Sequence, residues 1–401
     1  MSGLKVSLIS HEFPPFIIGG IATYCFDLAI NLSRKGIETK VICGNLNDAE
    51  SRMKVNRFLE IVRLPFFNFP PRYFWFQLMN HKKLCKLCAN CNVIHGVNPT
   101  ASMLQASYER KSNKALIVTH HLNELQTLKM FVHMPLSELT LGDLMVNAFS
   151  YPLDTFLENA WFGYADQIIV PGNFTYDFMK SIYGPELLKK VSVIYNAIDF
   201  DKVNSLCKKT ANLNDDYPSI ISFCRLVSLK GIGRLLLHSK KLFSKFPNLK
   251  FKIFGQGPLK SFLEKIIIKQ SLHEHVIIMG HVPYNVLLKH IEKASMAVFP
   301  TFLEVGPFIS ALEAMALKKP VVAFDLPFNR EFIKPYKTGM LAEAGNMDDF
   351  IDKISLLLSD QKLRTELGNA AFEYVKKHHN WAYVVDRYIK IYEEFAGSLV
   401  S

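Results

Sequence analysis

No apolar run in this chain approaches the roughly 20 residues that a helix needs to cross a bilayer, so a membrane-spanning role is not expected. The opening MSGLKVSLIS holds one lysine and reads as a strand, not as a secretory signal, so a cytoplasmic location is expected. The seven cysteines are then expected to be reduced thiols. There is no G-x-G-x-x-G run, which leaves a dinucleotide site unsupported, and no short internal repeat. Acid is scarce in one place. Residues 51–90 carry eight Lys or Arg against Glu60 alone, interleaved with Phe58, Phe66, Phe67, Phe69, Tyr73, Phe74, Trp75 and Phe76. Such a segment suits an anionic membrane surface. It also suits nucleic acid, or a helix with an aromatic core face and a solvated basic face.

What is present is strand–helix alternation over 401 residues, enough for two domains, with the 49% hydrophobic and 21% charged content of a globular protein. Residues 4–9 read as a strand, HEFPPFIIGG as a loop, 21–33 as a helix with Tyr24, Leu28 and Leu32 on one stripe, and 39–43 as a strand. This is half of a doubly wound sheet. The Gly19-Gly20 pair lets backbone approach a ligand closely, with amides free to face a phosphate. Strands are expected at 58–64, 92–96, 115–119, 168–170 and 191–194, and helices at 73–89 and 174–181, with two more between 125 and 164 that either line an apolar acceptor site or form core. His95 and the pair His120-His121 fall at strand carboxyl ends, where α/β proteins bind ligands; both structural and functional roles stay open. Cys85, Cys88 and Cys91 are spaced for one apolar helical stripe or for a metal, though the fourth cysteine of an iron–sulfur run is missing. Asp199-Phe200-Asp201 matches a two-aspartate metal pattern but sits at a domain edge, and no metal site is expected.

Residues 201–218 are polar and aperiodic and read as a linker. Alternation then restarts. Arg225 follows the strand 220–224, and Lys230 lies on the same strand-to-helix loop; a planar fork and a point charge suit a diphosphate. Gly255-Gln256-Gly257-Pro258 follows the strand 249–254 as another tight backbone approach. The stretch 296–324 reads strand, loop, helix, strand, with Glu304 and Gly306-Pro307 in the loop and Glu313 on the helix. A carboxylate there is misplaced for phosphate but suits a pair of sugar hydroxyls. Helices are expected at 350–358, 361–379 and 381–398.

In order and spacing, P-P-F-I-I-G-G-I, V-I-H-G at 93–96, V-T-H-H at 118–121, V-I-Y-N-A-I-D, R-L-V-S-L-K-G, F-G-Q-G-P, M-G-H-V-P-Y and L-E-A-M-A-L-K-K-P-V-V-A resemble the family 4 retaining glycosyltransferases of the GT-B fold along nearly the whole chain. The resemblance implies an α/β protein of two Rossmann-like doubly wound parallel-sheet domains facing across a cleft. Residues 1–200 and a returning helix 381–398 would form the acceptor-side domain, and 219–380 the nucleotide-sugar domain. It also implies transfer of a sugar from a UDP- or GDP-linked donor to an acceptor hydroxyl, with configuration kept and no cofactor or divalent metal. Carried over by position, Arg225 and Lys230 look like the diphosphate clamp, Glu313 like the ribose-binding glutamate, and Gly20 like the glycine whose amide nears the phosphates. His121 looks like the contact to the transferred sugar. Gly19, Gly255, Gly257 and Gly306 join Gly20 as backbone contacts to the donor. The family places seven residues between its two glutamates; here Glu304 and Glu313 have eight between them. A one-residue bulge would return Glu304 to the site. The loop at 325–331 lacks the family's second glycine pair. With the basic–aromatic segment, these features lead to an expected acceptor on a glycolipid or lipid-linked glycan, with peripheral contact to an anionic membrane on its inner face and no nucleic-acid partner. The rivals are a sugar-nucleotide epimerase of the same fold and a sugar-nucleotide-binding subunit without turnover.

Overall fold

The computed structural model describes residues 3–17, 19–46, 50–69, 71–108, 114–121, 162–210 and 217–397. The stretch 125–161, read above as helical, lies outside them. The chain divides into two compact units. Among the described residues, the first holds 3–121, 162–195 and 381–397, and the second 196–380.

The first unit is built on an eight-stranded sheet in the order β3-β4-β2-β1-β5-β6-β7-β8. Its strands are β1 (Lys5–Ser10), β2 (Glu38–Asn45), β3 (Ser51–Asn56), β4 (Leu59–Pro65), β5 (Val93–Val97), β6 (Ala115–Thr119), β7 (Gln167–Val170) and β8 (Val191–Val193). β5 and β6 are buried at every position, as in a parallel sheet covered on both faces, and that is why they read as unbroken apolar runs. β3 differs. It is exposed at all six positions and pairs antiparallel with β4. Its Arg52 and Lys54 guard the sheet edge, and Met53 and Val55, which alternate with them, are exposed as well, so no buried face marks it as a strand. The helix Trp381–Gly397 belongs to this unit. It packs Trp381 and Tyr388 on Tyr24 of the helix Gly20–Arg34, and Asp386 pairs with Lys35 at 2.7 Å.

The second unit holds a six-stranded parallel sheet, β11-β10-β9-β12-β13-β14. The strands are β9 (Ser219–Phe223), β10 (Lys250–Phe254), β11 (Val276–Gly280), β12 (Met296–Phe299), β13 (Val321–Phe324) and β14 (Gly339–Ala342). Alternation along β12 sends Val298 into one core and Ala297 and Phe299 into the other, so both faces are covered. In this sheet the strand order reverses between β9 and β12, and in the first between β1 and β5. Loops leaving such neighbours diverge and open a crevice at the carboxyl edge.

The expected linker 201–218 is corrected in part. Phe200–Lys209 is a helix of the second unit, capped by the Asp199 carboxylate, which accepts from Lys202 N at 2.9 Å. Phe200, Val203 and Cys207, at helical spacing, are buried in its core. Asp199 thus serves as a helix cap. After Lys230 the chain forms two short helices, Ile232–His238 and Lys240–Lys245, broken at Ser239. Cys88 and Cys91 pack in the first unit's core, and no metal-holding group of His, Cys, Asp or Glu occurs among the described residues.

Candidate active site

In the second unit the expected residues gather on the two loops that diverge at the switch point. Arg225 follows β9 and is exposed; Lys230 ends the short turn Ser228–Lys230 on the same loop. Across the switch point, the loop after β12 is tied to that turn. Phe302 N donates to Leu229 O at 2.9 Å and Thr301 Oγ1 to the same oxygen at 3.2 Å. These ties bring the Glu304 carboxylate onto the Lys230 ammonium as a hydrogen-bonded ion pair, with side chains only 17% and 21% exposed. The loop that carries Glu304 leads into the helix Ile309–Ala316, which carries Glu313. Glu313 is 6% exposed, and its Oε1 accepts from Tyr284 OH at 2.7 Å. Tyr284 lies on another helix, Tyr284–Lys293. Nothing local in sequence marks it, because only the tertiary fold brings it to Glu313.

The glycines of this unit separate by cause. A Cβ at Gly255 would lie 1.9 Å from Cys224 O, and one at Gly257 2.3 Å from Leu226 O. The close approach at both is chain on chain, with Leu226 N donating to Gln256 O at 2.9 Å. These contacts by themselves require glycine there. Gly306 is buried, and the next carbonyl, Pro307 O, accepts from Asn196 Nδ2 at 3.0 Å. In the loop 325–331, the Asp325 carboxylate is bound by Arg330 at 2.5 and 2.8 Å and held below the usual carboxylate range by that bond.

In the first unit Gly19 precedes the helix Gly20–Arg34, and a Cβ at Gly19 would meet nothing within 4 Å. Its amide donates to Glu12 Oε2 at 3.1 Å. The space at Gly19 is thus unfilled by the described residues, but the Gly19 amide already serves a carboxylate.

The three candidate histidines divide. His95 is fully engaged: Nδ1 shares a 2.6 Å hydrogen bond with Tyr392 OH, and Nε2 one of 2.6 Å with Thr119 Oγ1. Thr119 in turn meets Tyr24 OH at 3.0 Å, and Tyr24 OH donates to Tyr388 OH at 2.9 Å. This buried chain of hydroxyls fastens the returning helix to β5 and β6, so His95 holds structure together. His120 is buried edge-on against Phe162, with its amide donating to Ile169 O. His121 packs differently. Its amide donates to Asn98 Oδ1 at 2.8 Å, and its ring rests on Tyr24 with centroids 4.3 Å apart. Its buried Nε2 has no partner among the described residues. Asn98, held at φ 56°, is a positioning residue that no motif marked.

Burial pushes His95, His120 and His121 down to about 3, and His379 of the second unit to about 4. The neutral form is thus the folded form, while the unfolded chain takes up protons near 6.5. Between about 6.5 and 4 the unfolded state binds more protons, so stability falls as pH falls, by up to about 1.4 kcal/mol per pH unit for each histidine. Melting temperature should drop steeply from pH 6.5 to 5. A flat melting profile over that window would show these imidazoles to be solvated.

A family profile described as glycosyl transferases group 1 matches residues 206–374, and one described as Glycosyltransferase Family 4 matches residues 18–202. An uncharacterized glycosyltransferase of Methanocaldococcus jannaschii is 27% identical, over 97% of this chain and 98% of its own length. Among solved structures, the sucrose-phosphate synthase of Thermosynechococcus elongatus aligns over 98% of this chain and 100% of its own, with a TM-score of 0.79 at 17% identity. The Anabaena HepE protein in complex with UDP-glucose aligns over 98% and 100%, with a TM-score of 0.69 at 15% identity.

Proposed function

We propose, from the premise that this chain belongs to the group 1 glycosyltransferases of the family 4 type, that it moves a sugar from a UDP- or GDP-linked donor to an acceptor hydroxyl with the anomeric configuration kept. The acceptor is a glycolipid or lipid-linked glycan at the inner face of the cell membrane. The observation that carries this reading is the placement of Arg225, Lys230, Glu304 and Glu313 at one topological switch point. The UDP-glucose bound by the HepE neighbour supports a nucleotide-sugar donor.

In this reaction the sugar C1–O bond breaks toward the diphosphate, which takes the electron pair. The acceptor oxygen bonds C1 on the same face, and its proton passes to the departing diphosphate oxygen. Arg225 and Lys230 act on the charge that grows there. Lys230 exchanges Glu304 for phosphate when the donor enters, and the released carboxylate accepts from a hydroxyl of the sugar. Glu313 accepts from the two ribose hydroxyls. His121, neutral and with Nε2 buried, meets a hydroxyl of the transferred sugar.

The test is turnover of UDP-, GDP- and ADP-sugars with mixed lipid acceptors, beside thermal shift with each donor. A donor at about 100 times its Kd stabilises by about 2.7 kcal/mol. Isomerised donor without acceptor would point to an epimerase, and stabilisation without turnover to a binding subunit. Tyr284→Phe removes only the donor to Glu313 Oε1. It should raise the KM for the nucleotide sugar about 5- to 10-fold and leave kcat within about twofold. An unchanged KM would remove Glu313 from ribose binding.

A further inference from the structure

We infer that the first unit docks on an anionic lipid surface through the loop after β4 and the outer stripe of the helix Arg72–Leu87, a surface that deepens, and for its purpose rests on, the lipid-acceptor reading above. The helix is turned against its own polarity. Gln77 and Asn80 are 1% and 3% exposed, with Gln77 Nε2 donating to Pro99 O at 2.7 Å and Asn80 Nδ2 to Pro65 O at 2.8 Å. Leu78 and Met79 beside them are 51% and 57% exposed. A helix that faced only water would present the amides and bury the aliphatics. Phe67 and Phe69, 56% and 55% exposed, extend the same patch. Their rings stack at 5.9 Å, and Phe67 meets the edge of Trp75, one helical turn before Leu78 and Met79, at 5.8 Å. Two exposed apolar pairs, one touching Trp75 and the other one helical turn beyond it, thus stand open, where scattered single ones would need no explanation.

One to two turns further along the helix, Lys82, Lys83 and Lys86 are exposed. Among the described residues the acid beside them is Glu50, which binds Arg52 at 3.0 Å and Lys83 at 3.3 Å. The order is an apolar apex followed by a cationic collar. Rings and aliphatics suit the acyl boundary, and ammonium groups on flexible stems suit the phosphate layer above it. A single-stranded nucleic acid would use the lysines and stack on the rings but leave the aliphatic Leu78–Met79 step unused. The patch also lies on the edge where the reaction is expected. The loop leaves the carboxyl end of β4, parallel through β2 with β1. Phe66 packs inward on Phe16 at 5.9 Å, and Arg63 Nη2 donates to Pro14 O at 2.6 Å, on the loop that leads to Gly19. A bilayer seated on Phe67 and Met79 would deliver a lipid headgroup along the strand ends that carry Gly19 and His121.

The experiment is flotation of the full chain, without donor or acceptor, on phosphatidylcholine vesicles with or without about one third phosphatidylglycerol. Wild type should float with the anionic vesicles, hardly with the neutral ones, and less at high salt. The variant K82Q/K83Q/K86Q should lose about 10²-fold in partition coefficient, at about fivefold per lysine removed. F67S/F69S should lose about tenfold or more even at low salt. Both should keep the wild-type melting temperature and the donor-induced thermal shift, because every changed side chain is exposed. Retained vesicle binding in both variants overturns the inference. So does equal binding to neutral vesicles, or failure to float while single-stranded oligonucleotide binds. Vesicle binding lost in the variants, with no sugar turnover by wild type, would leave this surface standing and remove the proposed reaction instead.

Discussion

Arg225→Ala and Lys230→Ala are each expected to lower kcat for sugar transfer by about 10²–10³-fold, the usual consequence of removing one preorganised group from a developing charge. The two should differ in how they fail. Arg225 is exposed, so its loss removes a positive fork and leaves nothing behind. Lys230 is the counter-ion of Glu304, on side chains 21% and 17% exposed. Its loss strands a half-buried carboxylate where an anionic donor must sit, which adds repulsion to the missing attraction. Donor KM should therefore rise more in Lys230→Ala than in Arg225→Ala. Adding Glu304→Gln to Lys230→Ala should recover about tenfold in donor affinity while kcat stays low. Lys230→Arg should not rescue fully, since the wider guanidinium cannot take the ammonium's place between Glu304 and a phosphate. Steady-state kinetics with a soluble acceptor separates these effects from membrane docking. Arg225→Ala within about threefold of wild type in kcat would remove the diphosphate clamp from the mechanism.

The parts of this molecule legible in the sequence are those whose cause is local. β5, β6 and β9 are covered on both faces, so each appears as a short unbroken apolar run. Arg225 and Lys230 could be placed because a strand-to-helix loop begins where its strand ends. The failures have nonlocal causes. β3 is exposed at every position and exists because β4 offers it an edge. The helix Phe200–Lys209 buries three residues, and its remaining polar positions hid the period inside a stretch that looked like linker. Tyr284 and Asn98 act on Glu313 and His121 through tertiary contacts across 29 and 23 residues. The shifted glutamate shows the difference most plainly. Spacing alone left Glu304 one residue out of place, and the bonds from Phe302 N and Thr301 Oγ1 to Leu229 O bring its loop onto Lys230.

Those same bonds make Gly231→Ala a severely damaging small substitution in the second unit. Gly231 has φ +68°, and a Cβ there would lie 2.0 Å from Pro300 O and 3.0 Å from the Phe302 ring. The left-handed backbone alone costs an alanine about 1 kcal/mol. The rest of the penalty is backbone against backbone, which no rotamer change relieves. Either the turn carrying Lys230 or the loop carrying Glu304 must move. A total near 3–4 kcal/mol is expected, a fall in melting temperature of about 6–12 °C. Gly280→Ala separates the two contributions, because Gly280 shares φ +68° but a Cβ there meets nothing within 4 Å. It should cost only the backbone share, about 1 kcal/mol. Activity should divide the same way. Gly280→Ala should keep near-normal transfer below its melting temperature, whereas Gly231→Ala should lose about 10²-fold, since a displacement near 1 Å misplaces both the cation and the carboxylate. Equal melting temperatures for the two variants would mean that the loops after β9 and β12 are not packed against each other in solution, and the Lys230–Glu304 pair would lose its support with them.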